Sequence, residues 1–187
     1  MARRLLIASL AGGVVLFFWG FAWYAAIPLH ENSMKTFSNA DDMASALATG
    51  TDGHGVYYYP STHEEMAKKP FALVIYDPGG SPSMTPFMVK GFVGNLIAAA
   101  IVSLMLLTVV DPAASIGKRI GFVVAVYLTA AALCRIPDAS WWHFPNSYLL
   151  LEVIFLAVGG VLVGAVTAML TMPIADSSEP VDDASAS

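Results

Sequence analysis

The chain is poor in charged residues and in cysteine. Only 12% of its 187 residues are Asp, Glu, Lys or Arg, about half of the roughly 25% that is usual in a soluble domain. Hydrophobic residues make up 57%, a balance typical of proteins with several membrane spans. The single cysteine, Cys134, excludes an internal disulfide and a metal site built from several thiolates.

Motifs of enzymes and of nucleic-acid-binding proteins are also missing. The chain has no GxSxG or HExxH, and the glycine-rich stretch 77–81 lacks the lysine of a phosphate-binding loop. No cluster of basic residues indicates contact with nucleic acid. We therefore expect a protein that is not an enzyme and does not bind nucleic acid.

None of the four histidines lies inside an apolar run, which argues against haem or chlorophyll held by histidine in mid-membrane. His30 and His143 follow predicted spans and are the weak candidates for a shared metal, but no HxxxH spacing supports one. We expect no resident cofactor. A bound lipid, or a pigment held by a neighbouring subunit, is compatible with the sequence.

What the chain does contain is four long apolar segments. A membrane span needs about 20 residues, and the segments at 5–27, 85–110, 116–136 and 147–172 all reach that length. The first is longer than the 7–15 apolar residues, roughly, of a signal peptide, so we expect a retained anchor in residues 1–27. The predicted fold is an all-α bundle of four transmembrane helices with a small α/β insert.

Prolines delimit the predicted spans. Pro86 suits the first turn of the second helix, where its missing N–H is not needed. Pro137 is expected to end the third helix, and Pro173 the fourth.

The distribution of basic residues predicts the orientation, because short cytoplasmic loops carry an excess of Lys and Arg. Two basic pairs must share one side of a four-span protein, and they are Arg3–Arg4 and Lys118–Arg119. We expect a bacterial inner-membrane protein with both termini in the cytoplasm. The insert, residues 28–84, would then lie in the periplasm, and residues 173–187 would form an acidic cytoplasmic tail.

The insert is too patterned to be an unstructured loop. Capping boxes at 38–41 and 62–65 predict two helices, and the runs GVYYYP and PFALVIYD predict two strands. A strand–helix–strand unit favours parallel pairing with a right-handed crossover. Two strands alone are marginally stable, so we expect this unit to be supported by a neighbouring surface.

Glu152 is the one acidic residue within a predicted span, and acids in the membrane are costly and often mark ion or proton pathways. Arg135 ends the third span, so a hairpin of the third and fourth spans brings both side chains to a similar depth. The sequence predicts an ion pair between Arg135 and Glu152, with a proton site at Glu152 as the alternative.

Small residues recur at one-turn spacing on two spans, which favours close approach of helix backbones. They are Gly160, Gly164 and Ala168 in the fourth span, and Gly91, Gly94 and Ala98 in the second. We expect these stripes either to pack the four helices against one another or to bind a neighbouring membrane protein. Aromatic residues typical of a membrane-interface belt are Trp19, Trp23, Tyr24, Trp141 and Trp142.

Three functional hypotheses follow. The first is a non-catalytic accessory subunit of a larger inner-membrane complex, of the kind found in respiration or photosynthesis, in contact with lipids and other integral membrane proteins. The second is a small proton- or solute-coupled transporter that uses Glu152. The third is a membrane-anchored binding or sensing protein whose ligand meets the periplasmic insert.

Overall fold

The computed structural model describes residues 1–80 and 83–173, without the side chains of His30 and His63. Four of its helices are long and apolar enough to cross a membrane, by length and composition. In chain order the elements are α1 (Ala2–Phe21), a π-helix (Ala22–Ala26), α2 (Leu29–Ser33), α3 (Ala40–Gly50), β1 (Gly55–Tyr59), α4 (His63–Met66), β2 (Ala72–Tyr76), α5 (Thr85–Thr108), α6 (Ile116–Trp141) and α7 (Asn146–Thr171). The predicted tail lies outside the described residues from position 174 onward.

The four long helices form a bundle in which α1 packs on α5, α6 packs on α7, and α1 also crosses α7. Contact between α5 and α6 is slight, so a cleft separates those two helices. The apolar centre consists of Leu16, Val102, Leu106, Val123, Tyr127 and Val163. We call the end of the bundle that carries the insert the insert end, and the opposite end the termini end.

Helix α6 does not end before Pro137, as the sequence predicted, but continues to Trp141. Proline is tolerated within long apolar helices when neighbouring groups compensate for its missing N–H. The extra turn is held by an ion pair between Arg135 and Asp138, three residues apart, and by Phe144, whose N–H donates to the carbonyl of Asp138 at 3.2 Å. The extension changes which acid lies next to Arg135.

The insert begins with the short helix α2 and then has the predicted order of helix, strand, helix and strand, but the predicted parallel pairing is wrong. Strands β1 and β2 are antiparallel, with Val56 opposite Ile75. A parallel pair needs a crossover connection, which usually contains a helix that packs across the sheet. The connecting helix α4 has only four residues and is too short for that role. Antiparallel strands need no such crossover.

Candidate functional site

Glu152 is buried between α7 and the end of the first span. It lies in the second turn of α7, and only 8% of its surface is exposed. The hydroxyl of Tyr24 donates a hydrogen bond to Oε1 of Glu152 at 3.1 Å. A buried carboxylate needs such donors, because removing a charge from water without hydrogen bonds is costly.

A π-helix places Tyr24 beside this carboxylate. The wider turn is closed by a hydrogen bond from the N–H of Ile27 to the carbonyl of Ala22 at 3.0 Å. One extra residue in a turn changes the direction in which the following side chains point. π-Helical turns are rare in proteins overall, and those that occur are often found at functional sites. Sequence periodicity could not reveal it, since its five residues read as ordinary apolar helix.

An aromatic cluster covers the site on the side of α7. The indole N–H of Trp19 donates to the carbonyl of Phe155 at 3.0 Å, and the two rings are stacked with centroids 6.1 Å apart. Trp23 and Tyr24 also pack on the Phe155 ring. Trp23 is only 4% exposed, so its ring packs inside the bundle, and its place in an interface belt stays a prediction. Large rings bury more area when they join two helices than when they face lipid.

The other two members of the expected belt, Trp141 and Trp142, are exposed at the end of α6. They lie at the insert end of the bundle, on the turn that leads into α7.

Arg135 has a different partner from the predicted one. Its Nη1 lies 2.8 Å from Oδ2 of Asp138, so the direct ion pair expected between Arg135 and Glu152 is not formed. The reason is the continuation of α6 through Pro137, which places Asp138 one turn from Arg135 on the same helix. Tyr24, which the sequence indicated only as a belt residue, binds Glu152 instead.

Polar groups near the termini end do not extend this site across the bundle. Thr167 and Thr171 are buried in α7, but their hydroxyls donate to carbonyls of their own helix, Val163 and Thr167, at 2.7 Å. The buried hydroxyls of Ser103 and Tyr127 have no hydrogen-bond partner in the described chain, and no hydrogen bond between described residues joins Glu152 to Thr167 or Thr171. Glu152 can therefore hold a proton or fasten α1 to α7.

The small-residue stripe of α7 lies against α6. A Cβ added at Gly160 would come within 3.0 Å of the Cβ of Tyr127, and one added at Gly164 within 3.2 Å of the Cβ of Val123. Ala168 is completely buried. Backbone contact of this kind requires glycine because any side chain would separate the helices.

The predicted stripe of α5 makes no such contact through its glycines. A Cβ added at Gly91 or Gly94 would meet no atom within 4 Å, whereas Ala98 packs against the apolar centre. The close approach of α1 to α5 occurs at Gly13, where an added Cβ would lie 3.0 Å from the Cα of Leu96. The one-turn spacing of Ala8 and Gly12 beside it is the sequence signal for this contact.

Only one of the two weak metal candidates has a described side chain. The ring of His143 packs on Phe71, with centroids 5.0 Å apart, and so joins the insert to the α6–α7 turn. His30 lies in α2, and its side chain is outside the described atoms. In the part of the chain that the structure describes, no three His, Cys, Asp or Glu residues are grouped so that they could hold a metal ion.

One face of the two-stranded sheet is uncovered. Val56, Tyr58 and Ile75 project from it and are 65%, 52% and 76% exposed. On the opposite face, Tyr57 and Val74 line a shallow cavity shared with α3, which Tyr58 also borders. We call the first surface the open sheet face. Comparison with protein-family models, curated proteins and solved structures finds no match to this chain.

Proposed function

We propose that the chain is a non-catalytic accessory subunit of a larger bacterial inner-membrane complex, with residues 28–84 in the periplasm and both termini in the cytoplasm. The basic pairs at 3–4 and 118–119 support this orientation. In this role the bundle anchors the subunit, and the insert binds a periplasmic part of another subunit.

The open sheet face is the observation that carries the proposal. Three large apolar side chains on a hairpin of two five-residue strands are left in solvent, although two strands are marginally stable on their own. Contiguous exposed apolar surface of this kind marks interaction sites. A partner that covers the face would bury these side chains and stabilise the hairpin.

Charge favours a protein partner over the membrane surface. Residues 28–84 contain three Lys and no Arg against seven Asp and Glu, a net charge of −4. Anionic lipid headgroups repel such a domain. A protein surface with apolar residues and a basic rim would attract it.

The Glu152 site supports a structural role. The hydrogen bonds of Tyr24 and Trp19 both join the first span to α7, and no hydrogen bond between described residues joins Glu152 to Thr167 or Thr171 at the termini end. These contacts fix the helix that carries the insert.

Photo-crosslinking tests the proposal. A photoreactive phenylalanine analogue at Tyr58 lies on the open sheet face, and the same analogue at Asp41, exposed on α3, provides the control. We expect irradiation of cells to give a discrete adduct with another polypeptide from position 58 and none from position 41. Adducts with lipid alone, or with a second copy of this chain, would contradict the proposal.

A transporter that uses Glu152 is the second candidate. It is favoured by the burial of a carboxylate beside a π-helix in a membrane-spanning segment. Vesicles that contain the purified chain alone test it: a proton or solute flux that is abolished by Glu152→Gln would support transport and argue against the accessory role.

A further inference from the structure

Arg119 is the most deeply buried charged side chain in the described part of the protein. It lies in the first turn of α6 at the termini end, and 1% of its surface is exposed. Its Nη2 donates to Oγ1 of Thr171 at 2.8 Å, and its Nη1 donates to the carbonyl of Asp111 at 3.4 Å. Both partners are neutral groups.

Within the described residues, the guanidinium of Arg119 lacks both a hydrogen-bond acceptor for one N–H group and an opposite charge. Its Nε is buried and has no hydrogen-bond partner in the described chain, and no described carboxylate lies within ion-pair distance of the group. The carboxylate of Asp111 accepts instead from the N–H of Ala113 at 2.8 Å. A buried charge without an opposite charge is strongly unfavourable, so an anion beside Arg119 would stabilise the folded protein.

A cavity of about 210 Å³ lies next to this group. Arg119 and Thr171 line it together with Arg4, which is half-buried, and Leu106 and Leu107 supply apolar wall. One water molecule takes about 30 Å³ of liquid volume, so the space accommodates a group the size of a phosphate. Two arginines that line one space suit a phosphate, which accepts paired hydrogen bonds from arginine.

The position of the cavity identifies the source of the phosphate. Its walls come from the start of α1, the end of α5, the start of α6 and the end of α7, so it lies where all four spans leave the apolar layer. Phospholipid headgroups lie at that level, and basic pockets between membrane helices bind anionic lipids. The leucine wall would then lie beside the acyl chains.

We infer that this cavity binds the phosphate group of an anionic phospholipid, held by Arg119 and Arg4. The inference is independent of the accessory-subunit role, since it concerns the opposite end of the bundle. It also accounts for the burial of a charged side chain at the start of α6.

Lipid titration followed by native mass spectrometry tests the inference on the full chain in a nonionic detergent. The matched variants are Arg4→Gln, which alters the cavity, and Arg3→Gln, which removes the same charge from the neighbouring exposed position. We expect Arg4→Gln to weaken binding of phosphatidylglycerol by about tenfold, the effect of one hydrogen bond to a charged group. Arg3→Gln should leave the affinity within about twofold.

Further arms distinguish the source of the ligand. Diacylglycerol with the same acyl chains should show no difference between the two variants, because it lacks the phosphate. If inorganic phosphate binds with the same dependence on Arg4 and the lipid does not, the lipid assignment is wrong. If both variants bound the lipid equally weakly, the inference would also be overturned, because that result would show that only the overall charge of the N-terminus matters.

Arg119 itself is tested by Arg119→Lys, which keeps the charge but lacks the forked donors. We expect it to fold, as judged by an unchanged elution volume, and to bind phosphatidylglycerol about tenfold more weakly. Unchanged affinity in the folded variant would contradict the proposal. A chain that ends at Pro173 should bind the lipid as the full chain does; binding that is seen only after this truncation would mean that residues 174–187 occupy the cavity, and would overturn it.

Discussion

Tyr24 and Glu152 lie 128 positions apart in the sequence and are joined by a hydrogen bond of 3.1 Å from the tyrosine hydroxyl to the glutamate carboxylate. This contact connects the end of the first span to the start of α7 at the insert end. It is formed because the π-helix aims Tyr24 at the carboxylate. The helix that leads into the insert is thereby fixed relative to the rest of the bundle.

Replacing Tyr24 by Phe should lower the free energy of unfolding by about 1–3 kcal/mol, since the buried carboxylate loses a donor while the ring remains. Reversible unfolding in mixed detergent micelles, followed by tryptophan fluorescence, measures the change. Tyr58→Phe is the matched control, because Tyr58 is 52% exposed, close to the 47% of Tyr24, and its hydroxyl makes no hydrogen bond within the described residues; it should change the stability by less than about 0.5 kcal/mol. An equal effect of the two substitutions would contradict the role given to the Tyr24 hydroxyl.

Glycine-dependent packing predicts a contrast between two helices. Gly13→Ala places a methyl group 3.0 Å from the Cα of Leu96, so the helices must separate, at a cost of about 1–3 kcal/mol. Gly94→Ala adds the same methyl group in open space and should leave the stability unchanged or raise it by up to about 1 kcal/mol. The same unfolding measurement compares them. Destabilisation by Gly94→Ala that equals that of Gly13→Ala would show that the packing is assigned to the wrong positions.

The lengths and order of the four spans could be predicted from composition, because apolar runs bounded by proline and charge determine them. The helix ends are less predictable: Pro137 suggested a stop, yet tertiary contacts and the Arg135–Asp138 pair carry α6 four residues further. The sequence singled out Glu152 as the one acidic residue within a predicted span, and this side chain is buried in the structure. Its partner could not be found, because a π-helix leaves no trace in periodicity.

The partner of Arg135 can be measured by double-mutant cycles. We expect Arg135→Gln and Asp138→Asn to show a coupling energy of up to about 1 kcal/mol, the usual range for a partly exposed ion pair. The cycle of Arg135→Gln with Glu152→Gln should give a smaller value, because those residues are not in direct contact. A larger coupling energy between Arg135 and Glu152 would show that these two residues form the ion pair expected from the sequence.

The antiparallel register of the insert predicts a specific disulfide. In a background of Cys134→Ser, cysteines at Val56 and Ile75 face each other across the hairpin, within the Cα separation of roughly 4.4–6.8 Å that a disulfide needs. Oxidation should crosslink this pair and shift its mobility on a nonreducing gel after cleavage of the loop between the strands. Cysteines at Val56 and Leu73, displaced by two positions, should crosslink poorly; efficient crosslinking of that pair instead would indicate a shifted register.

The insert shows why strand direction was harder to predict than strand position. Aromatic and β-branched residues mark both strands, but strand direction depends on whether the connection forms a crossover helix, and α4 is too short for one. The open sheet face was equally hidden, since alternation along β1 does not tell which side α3 covers. The cavity shared with α3 lies beside Tyr57, whereas Val56 and Ile75 are exposed.

The size of the native particle tests the accessory-subunit account most directly. Membranes extracted in a mild detergent, with the chain at its natural abundance, can be separated by native electrophoresis and the bands analysed by mass spectrometry. We expect this 19.8 kDa chain to migrate in a larger particle with other membrane polypeptides in constant ratio, and to leave that particle when Tyr58 and Ile75 are both changed to Asp. A chain that migrates alone, with or without those two substitutions, would contradict the account.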